Sequence, residues 1–451
     1  MTRLFGTNGI RGIVGQSMTA DLAVRVGRAI GTFFEGGTVA LARDTRLSGP
    51  MLARAAASGL MSAGCGVIDL GVVPTPCAQY HVAKSGQMKG AVVVTASHNP
   101  REFNGLKAID GRGMEMRRED EEAIESLYFE EKFRSADWSG VGAIRADDSA
   151  VDRYLAGILG HVDVDRIRAR AFTVVADPGN GAGCVTTPYL LRLLGCRVIT
   201  INGQADGAFP GRPPEPVADH LEHLLHVMSE AQADLGVAHD GDADRAIFVD
   251  DKGSFLVGDK SLALLAREAI SGRGGTVVTP VSTSSMVDEV VREAGGQVLR
   301  TKVGSPIVAR TMFETGAAFG GEENGGVIFP EHQFCRDGAM AVAKMLELLA
   351  RRREPLSQLA SALPQLHIRK ANVPVPIERR DAVLAGLVSL TKDRRVDTTD
   401  GVRILESDGA VLVRPSGTEP IFRVYAEGRT PERAEALASE GVALVRRALG
   451  G

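Results

Sequence analysis

The sequence predicts an α/β fold: three similar α/β domains with mixed, mostly parallel sheets, and a smaller C-terminal α+β domain, set around a central cleft. Three observations predict it. A chain of 451 residues exceeds the size at which one hydrophobic core keeps growing, so it divides into several domains. One arrangement of strand, loop and helix occurs three times, each copy closing on an unusual loop. The segment from about Leu366 breaks that pattern. The domains expected are 1–150, 151–250, 251–365 and 366–451.

The first copy runs through T-V-A-L-A-R-D-T-R from Thr38, an apolar helix from Met51 to Ser62, V-I-D-L-G-V from Val67, and A-V-V-V-T-A-S-H-N-P from Ala91, its third strand ending at Ser97. The second runs through F-T-V-V-A-D-P-G-N-G from Phe172, a helix from Tyr189 to Leu194, R-V-I-T-I-N from Arg197, and L-G-V-A-H-D-G-D-A-D-R from Leu235, ending at Asp240. The third runs through T-V-V-T-P-V from Thr276, a helix from Met286 to Glu293, Q-V-L-R-T-K-V-G from Gln297, and A-A-F-G-G-E-E-N-G-G from Ala317, ending near Glu322. Alternating strands and helices argue for buried sheets whose polar sites collect at the strand ends. Pro213, Pro214 and Pro216 mark a loop inside the second copy, because apolar periodicity resumes at Leu221. The last segment reads as two Pro-punctuated strands, a helix, V-L-V-R-P-S-G-T-E-P, and a final helix from Pro431.

Composition excludes several function classes. Lys plus Arg number 52 against 56 Asp plus Glu, a formal net charge of -4, so no global field draws the chain to nucleic acid. Arg351, Arg352 and Arg353 read as a solvated helix end. Five scattered cysteines without a C-x-x-C pair argue against zinc or redox chemistry and for reduced thiols. Met1 to Gly12 reads as strand, polar loop and glycine, not as a secretory leader, and no apolar run approaches the ~20 residues of a membrane span. A cytoplasmic protein without membrane contact is expected.

Four loops carry chemistry. Thr95 to Pro100 puts a serine and a histidine in a tight turn after a buried strand, which exposes the Ser97 hydroxyl at a strand end, as a nucleophile or as an ordinary turn residue. Asp240, Asp242 and Asp244 alternate with glycine and alanine ahead of Arg245. Three carboxylates so close repel unless a cation neutralises them, and a hard ion with oxygen ligands, Mg²⁺ above all, fits a loop this short. A calcium-binding loop is disfavoured, since Arg245 and Asp251 occupy the places of its glycine and glutamate. Gly321 to Gly326 presents Glu322 and Asn324 as acceptor and donor for a ligand's hydroxyls. Arg414 to Pro420, with Arg423, offers guanidinium groups, hydroxyls and turn N–H groups, the chemistry of a phosphate clamp.

Together with F-G-T-N-G-I-R-G at Phe5 to Gly12, these loops in this order resemble the α-D-phosphohexomutase family over nearly the whole chain. The resemblance implies that Ser97 is a phosphoserine and, with Asp240, Asp242 and Asp244, holds Mg²⁺. It implies that Arg11, His98 and Lys107 lie near the reacting phosphate and that Arg245 neutralises charge beside the metal. Glu322 and Asn324 would grip the sugar hydroxyls, Lys302 and Gly304 would bind substrate, and Arg414, Ser416, Gly417, Thr418 and Arg423 would hold the non-reacting phosphate. The implied activity interconverts hexose 6-phosphate and hexose 1-phosphate through a hexose 1,6-bisphosphate, which serves as intermediate and activator. Proton transfer would fall to Lys107 or His98. Asn324 stands where many members carry serine, and Gly326 where several carry histidine. Such variants resemble the archaeal branch, in which phosphoglucosamine mutase, phosphomannomutase and phosphoglucomutase assignments overlap, and the reading leans to glucosamine phosphate. Sugar phosphates are the partners expected, with a homodimer as the oligomer considered. The rivals are a Mg²⁺-dependent sugar phosphatase and a non-catalytic sugar-phosphate binder.

Overall fold

Each of the three repeated copies folds around the same three parallel strands, with the first strand in the middle. In the computed structural model, which describes residues 3–6, 8–416 and 419–450, the first copy pairs Gly37–Arg43 with Cys65–Val72 on one side and Gly90–Val94 on the other. The second pairs Thr173–Asp177 with Arg197–Thr200 and Leu235–His239. The third pairs Gly275–Pro280 with Gly296–Thr301 and Phe319–Gly321. The connection therefore reverses direction beside the first strand, and the loops after strands one and three become neighbours at the carboxyl ends, where α/β sheets bind ligands.

The chain forms two compact units, Met1–Ser261 with Asn324–Leu359, and Leu262–Glu323 with Ala360–Gly451. The first unit holds the first two sheets. In the first sheet the antiparallel strands Phe103–Asp110 and Ile10–Ile13 follow Gly90–Val94, and Ile144–Ala146 closes the other edge. All five residues of Gly90–Val94 are buried; each valine so placed stabilises the fold by about 1.5–3 kcal/mol. Val39, Leu41, Val67, Val92 and Val94 share a core with Leu52 and Leu60 of the helix Gly49–Ser62. In the second sheet Ala246–Val249 returns antiparallel to Leu235–His239. The loop 201–217, which contains the three prolines, has no strand, as its composition predicts.

The helix Gly338–Arg352 of this unit is capped by Asp337, whose carboxylate accepts from Met340 N, and packs on Ala150–Leu159 and on Ala246–Val249. Arg351 and Arg352 lie exposed in its last turn, where positive charge complements the helix dipole. The basic run is thus a helix end. The free cysteines Cys65, Cys77, Cys184 and Cys335 are buried, and burial raises their thiols, that of Cys184 to about 12. Among the described residues no helix is long and apolar enough to cross a membrane.

The second unit contains the third sheet's parallel strands and a five-stranded antiparallel sheet, ordered His367–Pro374, Ile421–Gly428, Gly409–Pro415, Val402–Glu406 and Val396–Asp397. Helices Arg380–Leu390 and Pro431–Leu449 cover one face through Val383, Leu387, Leu437 and Val445. This is the α+β arrangement expected. The sequence pattern had one strand too many before the first helix and missed Val396–Asp397, Val402–Glu406 and Ile421–Gly428.

Candidate active site

The all-buried strand Gly90–Val94 delivers the turn that follows it to a fixed place. The strand itself ends at Val94 rather than at Ser97, because Thr95 still bonds Gly105 O and Ser97 then turns into the left-handed region at φ +51°. A residue with a Cβ resists that conformation by about 1–2 kcal/mol. The turn is held nonetheless: Ser97 N–H donates to Thr95 Oγ1 at 2.8 Å, and Ser97 Oγ donates to Asp240 Oδ2 at 2.7 Å. The expectation of an exposed hydroxyl is corrected, for Ser97 is 0% exposed. The loop Asp240–Arg245 covers it so closely that a Cβ on Gly241 would stand 2.5 Å from Ser97 O.

Asp240, Asp242 and Asp244 bring ligand oxygens within 4.8 Å of one another, all three buried. Ala243 at φ +53° makes the turn that aims them together. Burial first, then the charges of Asp244 and Asp242, push the Asp240 carboxyl up to about 7. Asp242 goes the other way: although burial opposes it, Lys107 holds its carboxyl well below the ordinary range. Lys107 Nζ donates to Asp242 Oδ2 at 2.7 Å and Asp244 Oδ2 at 3.4 Å, Thr75 Oγ1 donates to Asp242 Oδ2 at 2.7 Å, and Arg336 Nη2 donates to Asp244 Oδ2 at 2.5 Å. Asp242 Oδ1 and Asp244 Oδ1 are buried without a hydrogen-bond partner among the described residues. Orphaned carboxylate oxygens at such a site are the donor set a hard divalent cation requires.

The cationic side of the site is equally built. Arg11, on the edge strand Ile10–Ile13, donates to Asn99 Oδ1 at 2.6 Å. Arg245 Nη2 lies 2.9 Å from His98 Nδ1, which is 3.4 Å from Ser97 Oγ. A guanidinium only donates, so Nδ1 carries no proton; burial, Arg245, Arg11 and Arg336 accordingly press the His98 pKa down to about 2. Arg245 Nε has no hydrogen-bond partner among the described residues and lies 3.9 Å from Asp240 Oδ2. Lys107 stays protonated: burial lowers its pKa, but Asp242 and Asp244 outweigh burial and leave it raised.

In the second unit, Asp400 ties two loops together by accepting from Val303 N at 3.1 Å and pairing with Arg414 at 2.9 Å. That fixes Lys302 and Gly304, the latter at the start of the helix Ser305–Thr315, relative to Arg414. Arg414 and Arg423 stand directly opposite in register on adjacent strands. Like charges so placed repel; Asp400 and Glu419, which accepts from Arg423 at 2.7 Å, balance them. Ser416 is buried and its Oγ accepts from Glu419 N. Gly417 and Thr418 lie outside the described residues. Glu322 is buried after the strand Phe319–Gly321, and Asn324 Oδ1 accepts from Gly326 N at 3.1 Å in the first unit.

Sequence reasoning missed Thr75, Arg336 and Asp400. Arg336 sits in F-C-R-D-G before the capped helix Gly338–Arg352, and a charged residue beside a buried N-cap was the signal available. Thr75 and Asp400 carried none.

Comparison with known proteins matches all four segments. The descriptions phosphoglucomutase/phosphomannomutase alpha/beta/alpha domain I, II and III match residues 2–135, 152–253 and 257–367, and the C-terminal domain of the same family matches 371–444. A phosphoglucomutase/phosphomannomutase of Thermococcus kodakarensis is 43% identical over 459 residues, covering 100% of both chains. A phosphoglucosamine/phosphogalactosamine mutase of Sulfurisphaera tokodaii is 42% identical over 98% of both. The crystal structure of a phosphoglucomutase/phosphomannomutase family protein from Burkholderia thailandensis superposes with a TM-score of 0.90 at 31% identity, over 99% of this chain and 98% of that one.

Proposed function

Since the chain belongs to the phosphoglucomutase/phosphomannomutase family and is therefore a phosphohexomutase, an isomerase, we propose that Ser97 carries its phosphoryl group and that glucosamine phosphate is its sugar. The observation that carries the first part is the 2.7 Å hydrogen bond from Ser97 Oγ to Asp240, in a buried cluster of three carboxylates, one lysine and three arginines. The second part is supported by the amino-sugar mutase similar over 98% of both chains.

Phosphoryl transfer needs in-line positioning and neutralisation of the transferring oxygens. Phospho-Ser97 gives its phosphoryl group to the free hydroxyl of a sugar monophosphate; the resulting 1,6-bisphosphate turns around and returns its other phosphoryl group to Ser97. Arg11 and Arg245 bind that group, and the free Nε of Arg245 supplies a donor for it. Asp240, Asp242, Asp244 and the phosphorylated Ser97 would hold Mg²⁺, which would supply further positive charge at the transferring oxygens. Of the two candidates for moving the hydroxyl proton, His98 has its Nδ1 committed to Arg245 and a pKa near 2, so it serves as scaffold. Lys107 is protonated at rest; its Nζ protonates the Ser97 oxygen as the phosphoryl group leaves and regains a proton from the sugar hydroxyl. Arg414, Ser416, Gly417, Thr418 and Arg423 bind the non-reacting phosphate, with Lys302, Gly304, Glu322 and Asn324 on the sugar. A sugar phosphatase has no use for two arginines in register around a second phosphate, which favours the mutase. We place the protein in the cytoplasm.

The test incubates glucosamine, mannose and glucose 6-phosphates separately with the protein, Mg²⁺ and a trace of the matching 1,6-bisphosphate, followed by ³¹P NMR. The 1-phosphate should form fastest from glucosamine 6-phosphate, and Ser97→Ala should form none. Inorganic phosphate without the 1-phosphate would refute the mutase, and faster conversion of another sugar would refute the substrate.

A further inference from the structure

Two buried arginines outside the reacting cluster hold the two loops that form it. Arg46 and Asp44 follow the first strand of the first domain, with 0% and 1% of their side chains exposed. Arg46 Nε donates to Asp44 Oδ2 at 3.0 Å. Its Nη1 donates to Pro100 O and Phe103 O at 2.7 and 2.9 Å, and its Nη2 to Ser97 O and Asn99 O at 2.8 and 2.6 Å. A guanidinium has five N–H donors. All are committed, three of them to main-chain carbonyls of the Ser97 turn and one to Phe103 at the start of the next strand, so none remains for a phosphate. Asp44 Oδ2 also accepts from Thr95 Oγ1 at 2.6 Å, and Thr95 Oγ1 accepts from Ser97 N. The pair thus grips the left-handed Ser97 from its N–H side and its carbonyl side.

The second domain repeats the device. Asp177 ends its first strand, and Arg212 donates from Nε to Asp177 Oδ2 at 2.7 Å. Arg212 Nη2 donates to His239 O at 2.7 Å, the carbonyl immediately before Asp240. A Cβ on Gly179 would stand 2.6 Å from that Nη2, so the guanidinium fills a cradle made for it. In both domains an aspartate at the end of strand one presents an arginine to the end of strand three or the turn that follows it, across the point where the connection reverses. One segment joins them: Gly207 bridges to Arg46, Phe209 lies under the Arg46 guanidinium at 5.3 Å, and Arg212 follows three residues later.

We propose that Arg46 and Arg212 are equivalent positioning residues, Arg46 setting the Ser97 oxygen for phosphoryl transfer and Arg212 setting Asp240 for the cation. The proposal rests on the reading of Ser97 as carrier and Asp240 as cation ligand. Lysine offers three donors in place of five and no planar fork. Arg46→Lys should therefore lower kcat about 100-fold, the cost of a displacement near 1 Å, with KM unchanged. Arg212→Lys should weaken Mn²⁺ binding about tenfold, read by electron paramagnetic resonance on the full chain without substrate. Where either variant loses its cooperative thermal transition, Thr95→Val and Asp177→Asn keep side-chain volume and decide by the same two readouts. Parental kcat in Arg46→Lys or Thr95→Val, parental Mn²⁺ affinity in Arg212→Lys or Asp177→Asn, or losses that merely follow the unfolded fraction, would overturn the proposal. Turnover by Ser97→Ala would instead overturn the reading beneath it.

Discussion

Replacing Gly241 by alanine perturbs the contact between the serine loop and the aspartate loop with a single methyl group. The added Cβ would stand 2.5 Å from Ser97 O and 3.6 Å from Pro214 Cβ. Ser97 O cannot swing aside, because Arg46 Nη2 holds it at 2.8 Å. The loops must part by about 0.9 Å for the contact to become ordinary. The same movement stretches the 2.7 Å hydrogen bond from Ser97 Oγ to Asp240 to about 3.6 Å, beyond hydrogen-bond reach. A displacement of that size at reacting groups costs about 100-fold in rate, equivalent to about 2.7 kcal/mol. Initial rates of 1-phosphate formation across substrate concentrations give kcat and KM separately, and thermal unfolding checks that the overpacking penalty stays within about 1–3 kcal/mol. A folded Gly241→Ala enzyme whose kcat is within about twofold of the parent would refute the reasoning, since the reacting groups would tolerate what the geometry forbids.

Lys107→Met removes the buried partner of Asp242, which should destabilise the cation-free protein by about 3–5 kcal/mol; differential scanning calorimetry with and without Mg²⁺ should show the cation restoring part of the loss. His239 is buried between Thr187 and the Arg245 carbonyl, and burial lowers its pKa to about 4. Its folded value is depressed, so the stability it contributes is present above the unfolded value near 6.5 and disappears as pH falls through about 4; melting temperatures between pH 7 and 4 should fall less steeply in a folded His239→Gln variant. Arg414→Ala should raise KM for sugar phosphate by about 10- to 100-fold, the worth of a charge-assisted hydrogen bond, with kcat little changed; an unaltered KM in steady-state kinetics would exclude a phosphate clamp there.

Local chemistry was readable where one segment holds both signal and consequence. Ala91 to Val94 followed by a polar turn announces a buried strand and the loop it aims, and three alternating aspartates announce a carboxylate cluster without any knowledge of the fold. Three copies of one pattern likewise foretold three similar α/β sheets. What could not be read are partnerships across long separations: Arg46 with Ser97, Arg336 with Asp244, Asp400 with Arg414. Each depends on which loops the topology makes neighbours, and each arginine or aspartate is unremarkable in its own stretch of sequence. The exposure assigned to Ser97 erred for the same reason, because the residue that covers it, Gly241, belongs to another domain.

The opposition of Arg414 and Arg423 has a bearing on how the protein acquires its affinity. Side chains alternate across a strand, so sliding Ile421–Gly428 by one residue against Gly409–Pro415 would turn Arg423 into the apolar layer occupied by Phe422, Val424 and Ala426. On the reading of Arg414 and Arg423 as a phosphate clamp, correct folding and anion capture are then a single event for this hairpin. On that reading a chain paired out of step has no weakened pocket for a ligand to rescue, and sugar phosphate would stabilise only molecules whose strands have already found their true alignment.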